Sequence, residues 1–166
     1  MPEFVYNRTQ HHVDRLKLLQ KKGYQNLTES EREEYHGYAS LGAYNYTDIN
    51  RVENAVEEIL SLYGYYLSFV DGYANRTNWS IPTRNVYPFN MNEYLSLVKR
   101  TVGAASDHNP ELEFPELPDS MNDLTWEMAN NIEYALYIAY VNAPGVTNRT
   151  AKLGTGKLGI MALGQN

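Results

Sequence analysis

The sequence Gly154-Thr155-Gly156-Lys157 is the stretch whose residue types come nearest to a phosphate-binding loop. In such a loop, glycines let backbone amides surround a phosphate while a lysine reaches the outer phosphates. The pattern fails on both sides, because Ala151 stands where the first glycine belongs and Leu158 stands where a Ser or Thr must ligate magnesium. We therefore predict no nucleotide site in this stretch.

The four histidines offer little for metal binding or acid–base chemistry. His11 and His12 are adjacent, so they point apart on a helix, and neither has the partner four residues away that metalloprotease spacing requires. His108 follows Asp107 in a polar stretch where the sequence identifies no third ligand. We predict no metal site and no cofactor.

Acidic residues are grouped at three places: Glu33-Glu34, Glu57-Glu58 and the trio Glu111, Glu113 and Glu116. A glycosidase needs two carboxylates that face one sugar across a cleft, with one of them held protonated. Sequence spacing does not supply that arrangement, and acids on helices more often face water. We predict no catalytic residue and a protein that is not an enzyme.

Tyrosine is the unusual residue of this chain, with 15 copies against four Phe and two Trp. Its apolar ring and polar tip suit partly buried, hydrated surfaces such as subunit contacts and sugar platforms. The same rings could instead complete the rim of a helical core. The candidate interface or ligand surface consists of Tyr73, Trp79, Tyr87, Tyr134, Tyr137, Leu158, Ile160 and Met161.

Composition indicates one domain with a substantial core, since 43% of the 166 residues are hydrophobic. The net charge of -6 argues against a general nucleic-acid binder, whose phosphate contacts need a concentrated basic surface. The absence of cysteine excludes disulfides and thiol catalysis. We see neither a signal peptide nor an apolar run long enough to cross a bilayer, so we expect a protein made in the cytoplasm with no membrane partner.

Hydrophobic periodicity and capping signals predict about five helices. The first helix should run from about Thr9 to Lys22 and end at Gly23. The second is short and charged, starts at the capping box of Thr28 and Glu31, and stops near Gly37.

The third helix is predicted within residues 43–63. Thr47 or Asp48 should cap its start, and Gly64 should end it in a left-handed conformation. Its apolar stripe consists of Ile49, Val52, Val56, Ile59, Leu60 and Tyr63.

The fourth helix should start at an Asn90 cap, with Glu93 closing a capping box, and should stop at Gly103. The prolines within residues 109–118 then predict an extended segment that buries apolar side chains against the bundle. These apolar side chains are Leu112, Phe114 and Leu117.

The fifth helix is predicted from about Ser120 to Tyr140 and is apolar nearly all round. A helix without a polar side is central to its domain or covered by a neighbouring chain, and we expect the central position. Its main stripe consists of Leu124, Met128, Ile132, Leu136 and Ala139.

The last part of the chain changes character, with closely spaced glycines, three basic residues and no acid. It predicts either a β-hairpin that lies on its own domain or an extended arm that adds to a neighbouring subunit as a strand. We therefore divide the chain into an N-terminal extension (1–8), a helical domain (9–143) and a C-terminal hairpin or arm (144–166). The expected fold is a mainly α, single-domain helical bundle.

Several stretches resemble a known protein family in their amino-acid sequence and in their order along the chain. They are Asn7-Arg8-Thr9, residues 43–63, Trp79-Ser80-Ile81-Pro82-Thr83, residues 117–125 and Ala129-Asn130-Asn131-Ile132-Glu133. Over roughly residues 7 to 140, the chain resembles a helical domain of tail and baseplate structural proteins from phages and prophages of Gram-positive bacteria. The resemblance contains no catalytic signature and carries over no functional residues.

The resemblance implies a virion protein with a non-enzymatic structural role, which contacts copies of itself and other virion tail proteins. The alternative is a receptor- or carbohydrate-binding module at the tail tip, in which Tyr73, Trp79 and Tyr87 stack on a host surface glycan. A cell-wall hydrolase is a third alternative.

Overall fold

The fold is mainly α-helical, as predicted. The computed structural model describes residues 1–36, 41–65 and 88–146, without the side chains of 88–90, and this part of the chain contains no β-strand. Its helices are α1 (Gln10–Lys22), a 3-10 turn (Tyr24–Asn26), α2 (Glu29–Tyr35), α3 (Tyr46–Leu62), α4 (Pro88–His108) and α5 (Trp126–Val141). Residues 71–87 and the predicted hairpin or arm lie outside the described residues, apart from 144–146.

Helices α3, α4 and α5 pack against one another and enclose the core, while α1 packs against α2 and the 3-10 turn. The predicted stripe of α3 is confirmed, because it is buried from Ile49 to Leu60 and Tyr63 packs at its margin. The extended segment after α4 also behaves as predicted. Its Leu112, Phe114 and Leu117 pack against the core.

The capping box predicted for α2 is confirmed. The Thr28 hydroxyl accepts from the Glu31 amide at 3.3 Å, and the Glu31 carboxylate accepts from the Thr28 amide at 2.9 Å. α1 likewise has Thr9 as its N-cap and Gly23, with φ 79°, as its C-cap. Both signals are local, so they act regardless of tertiary context.

The predicted cap of α3 is wrong, because Asn45 takes that position. Its side-chain oxygen accepts from the Thr47 amide at 2.8 Å. Asp48 lies in the first turn, where its carboxylate accepts from the Asn45 amide at 2.8 Å and closes a capping box. With Asn45 as the N-cap, Asp48 is the third residue of α3, and it is buried.

Two glycines that look alike in sequence have different roles. Gly64 ends α3 with φ 82°, and the amides of Tyr65 and Gly64 donate to the carbonyls of Leu60 and Ser61, which is a Schellman motif. Gly103 does not end α4, contrary to our prediction. The helix continues to His108 because the buried residues after Gly103 extend its apolar face.

The predicted starts of α4 and α5 are also wrong. α4 begins at Pro88, a residue favoured in the first turn, so Asn90 lies inside the helix. α5 begins at Trp126 instead of Ser120, because the Thr125 hydroxyl caps it by accepting from the Met128 amide at 3.2 Å.

The predicted stripe of α5 is confirmed at Ile132, Leu136 and Ala139, which are all fully buried, but it is wrong at Met128. Met128, expected to face inward, is 36% exposed. Glu133 is fully buried and shares the inner face with its apolar neighbours. The remaining buried residues of α5 are Ala129, Ile132, Ala135, Leu136, Ala139 and Tyr140. None of the helices in the described part of the chain has the length and apolar character needed to span a bilayer.

Candidate interaction surface

The N-terminal segment, residues 1–9, runs antiparallel to α5 and contacts it through an aromatic ring pair and through hydrogen bonds. The Phe4 ring lies 5.9 Å from the Tyr137 ring. Further along, the Arg8 amide donates to the Asn130 side chain at 3.0 Å, and the Asn130 amide group donates to the Arg8 carbonyl at 2.8 Å. The side chain of Asn130 therefore replaces the strand partner that an extended backbone lacks.

Arg8, Asp48, Arg51 and Glu133 form a charge network between the N-terminal segment, α3 and α5. The Arg8 guanidinium donates to Asp48 at 2.7 Å and to Glu133 at 3.0 Å. Arg51 donates to Asp48 at 2.6 Å and to Glu133 at 2.7 and 3.1 Å. Two cations thus neutralise two anions, which removes most of the penalty for burying isolated charges.

The network is deeply buried and saturated with donors. Glu133 is 0% exposed, Arg8 3% and Asp48 5%. The Glu133 carboxylate also accepts from the Val5 amide at 2.6 Å. Burial alone would lower the pKa of Arg51, but its hydrogen bonds with Glu133 and Asp48 raise it overall. Because these carboxylates are fully occupied, the arrangement is suited to fixing structure.

Two tyrosines extend the network into the core. The Arg8 guanidinium carbon lies 5.2 Å from the centre of the Tyr44 ring, within cation–π distance. The Tyr44 hydroxyl shares a hydrogen bond with the Tyr94 hydroxyl. Burial raises the pKa of both tyrosine hydroxyls above its usual value, because it disfavours the charged phenolate.

Phe4, Tyr6, Tyr134 and Tyr137 form the aromatic surface on the outside of α5. The rings of Tyr134 and Tyr137 stack with an interplanar angle of 15° and centroids 6.2 Å apart. Tyr6 lies 5.3 Å from Tyr134 and 5.6 Å from Tyr137. Tyr6 is 41% and Tyr134 44% exposed. The structure therefore brings two predicted surface residues together in a tyrosine cluster.

The other predicted surface residues lie outside the described part of the chain. They are Tyr73, Trp79, Tyr87, Leu158, Ile160 and Met161. Sequence reasoning missed Phe4 and Tyr6, because a segment without periodicity gives no sign of what it covers. It also missed the charge network, although an acid at position 133 inside an apolar helix was a usable signal.

The described residues contain no group of three or more acidic or histidine side chains placed to hold a metal ion. Comparison of the chain with protein-family models, with curated proteins and with solved structures finds no match.

Proposed function

We propose that this chain is a non-enzymatic structural subunit of a phage or prophage tail or baseplate. It is made in the host cytoplasm and works in the virion by contacting copies of itself and other tail proteins. The resemblance noted in the sequence supports the virion context. The observation that supports the molecular role is the aromatic surface. Exposed tyrosine rings that cluster on a well-packed helix are typical of interaction sites.

The aromatic surface is held in place before any partner arrives. Tyr6 lies between Val5, whose amide is bound by Glu133, and Arg8, whose side chain is bound by Asp48 and Glu133. Its ring position therefore depends on buried contacts on both sides. Rings ordered in advance lose less conformational entropy on binding, so more of the contact energy appears as affinity.

The proposal is tested by measuring self-association and partner capture. Sedimentation velocity of the full chain should show concentration-dependent oligomers, and immobilised chain should capture purified tail proteins of the parent virion. Tyr134→Ser should weaken association at least tenfold, because a central aromatic contact contributes about 2 kcal/mol or more. Tyr65→Ser is the matched control, since Tyr65 is 49% exposed but lies at the end of α3.

A chain that stays monomeric at every concentration and captures no tail protein would contradict this function. Equal effects of Tyr134→Ser and Tyr65→Ser on association would instead show that the aromatic surface is not the site of contact. Circular dichroism of both variants controls for folding, because each replaces a partly exposed side chain.

The second candidate is a receptor- or carbohydrate-binding module, favoured by the outward stacked pair Tyr134 and Tyr137. It predicts binding on a glycan array, with loss of the signal in Tyr134→Ser. A cell-wall hydrolase would instead clear Gram-positive cell walls in zymography, and the structural proposal predicts no clearing.

A further inference from the structure

The aromatic surface is built from segments of the chain that carry acids and no basic side chain free to meet a partner. Residues 1–7 and 101–148 contain no Lys or Arg. Arg8 and Arg51 contact α5 through Glu133, but both are held in the charge network by two carboxylates. The exposed charges of these segments are therefore negative.

Two exposed carboxylates lie along α5 beside the tyrosine rings. Glu127 precedes Tyr134 by about two helical turns, so both side chains are on the same side of the helix. Glu116 belongs to the extended segment beside α5, and its carbonyl accepts from the Asn131 side chain at 2.9 Å, one turn before Tyr134. Neither carboxylate has an ion-pair partner among the described residues. A partner that covers the rings therefore meets negative charge next to them.

This charge argues against pairing of the aromatic surface with itself. A two-fold contact would place the same surface of two copies face to face. The carboxylates of Glu116 and Glu127 from both copies would then lie close together, and like charges across an interface reduce affinity. The counterpart of the aromatic surface must be a different surface that carries cations.

The outer face of α1, formed by Lys17, Leu18 and Lys21, has this complementary chemistry. Leu18 is 56% exposed, and both lysines are exposed beside it. The other two Lys or Arg residues of α1 form ion pairs with glutamates of α2, whereas Lys17 and Lys21 have no such partner in the described part of the chain. The face therefore offers one apolar side chain between two uncompensated positive charges.

We propose that the aromatic surface of one copy binds the outer face of α1 of a second copy. This inference rests on the proposed function and names the partner surface. Leu18 packs against the stacked rings of Tyr134 and Tyr137, and the two lysines lie over the rings or pair with the carboxylates beside them. Lys17 and Lys21 are about 6 Å apart along the helix axis. That spacing is close to the 6.2 Å between the two ring centroids.

Because the two surfaces differ, the contact between copies is heterologous. Each bound copy keeps one unused surface, so repeated contacts build a ring or an open filament instead of a closed pair. An assembly of that kind suits a subunit whose role is structural.

Sedimentation velocity of the full chain tests the role of charge in this pairing. Lys21→Glu should weaken self-association at least tenfold, because it places a like charge beside Glu116 and Glu127. Arg32→Glu is the matched control, since it makes the same change of net charge at an exposed position of α2, and it should leave association unchanged. Raising the salt concentration from about 0.05 M to about 0.5 M should weaken association of the unmodified chain, because salt screens exposed charges. Circular dichroism of both variants checks that they fold.

A mixing experiment tests whether the two surfaces are partners of each other. Tyr134→Ser disrupts the aromatic surface and keeps the outer face of α1, whereas Lys21→Glu does the reverse. Each variant alone should associate weakly. An equimolar mixture should form a two-chain complex, because one intact contact is still available between the two variants. A two-fold contact would leave no intact pairing in the mixture.

Two results would overturn this proposal: equal association of Lys21→Glu and Arg32→Glu, or a mixture that associates no better than its components. If Tyr134→Ser still weakens association in either case, the proposed function stands and only the partner surface is wrong. A chain that is monomeric at every concentration also overturns the pairing. Capture of a tail protein that is lost in Tyr134→Ser would even then support the proposed function, so the two proposals fail separately.

Discussion

Replacing Arg8 with methionine should destabilise the protein by about 3–5 kcal/mol, the usual cost of removing one partner from a buried ion pair. The change removes two charged hydrogen bonds, at 2.7 Å to Asp48 and 3.0 Å to Glu133, and a third to the Val5 carbonyl. The network then holds two anions and one cation, and Glu133 at 0% exposure cannot recover water as a partner.

This loss is large against the total stability of a typical domain, about 5–15 kcal/mol. Urea unfolding followed by circular dichroism should therefore show a midpoint much lower than that of the unmodified chain. Arg8→Lys should cost less than Arg8→Met, because it keeps the charge while losing the planar fork that reaches both carboxylates. Lys21→Met, a surface control, should change stability by no more than about 0.5 kcal/mol.

A double-mutant cycle separates charge balance from lost packing. Glu133→Gln alone leaves an excess cation in the network, whereas Glu133→Gln combined with Arg8→Met leaves the neutral pair of Arg51 and Asp48. The double variant should therefore be more stable than the sum of the single effects by at least about 1 kcal/mol. Additive effects within about 0.5 kcal/mol, or a cost of Arg8→Met below about 1 kcal/mol, would refute the electrostatic account.

Three further predictions follow from local geometry. Gly103→Ala should stabilise the protein by about 0.5–1 kcal/mol in thermal unfolding, because an added Cβ meets nothing within 4 Å, whereas Gly64→Ala should destabilise it, because φ there is 82°. The hydrogen bonds from Lys22 and from the Thr28 amide lower the pKa of Glu31 from 4.5 to about 2, so the stabilisation that they give should be lost as pH falls through that interval. NMR titration of Lys22→Met should show the pKa of Glu31 moving back toward 4.5. Burial raises the pKa of Tyr44 above 10, so this residue stays protonated in the folded chain at a pH where it would ionise in the unfolded chain. Folding should therefore be weakened above about pH 10. An alkaline titration that follows tyrosinate absorbance should show ionisation of Tyr44 only as the protein unfolds.

Features specified by a few neighbouring residues could be predicted from the sequence. The capping box of α2 and the glycine ends of α1 and α3 depend on contacts within five residues, so residue types suffice. The start of α3 was harder, because Asn45, Thr47 and Asp48 can all cap. In the structure Asn45 is the cap, and Asp48 is buried in contact with Arg8. That contact joins residues 40 positions apart, so the local sequence does not reveal it.

The candidate surface could be predicted only in part, for the same reason. Tyr134 and Tyr137 belong to one helix, and their spacing of three residues places them on one side of it. Phe4 and Tyr6 come from a segment with no periodic signal. Arg8 and Glu133 are 125 positions apart, so no window of sequence contains the interaction that brings this segment to α5.

The charge network and the aromatic surface are structurally linked, because the same N-terminal segment takes part in both. α5 buries Glu133 on its inner side and exposes Tyr134 beside it, so the segment that satisfies Glu133 also delivers Tyr6 to Tyr134. An apolar residue at 133 would leave the Val5 amide and the Arg8 guanidinium without this acceptor, and the hydrogen bonds between Arg8 and Asn130 would have to hold the register of the segment without it. The buried acid therefore adds to the contacts that give the surface rings a single placement, and fixing register is the role for which buried ionic groups are best attested.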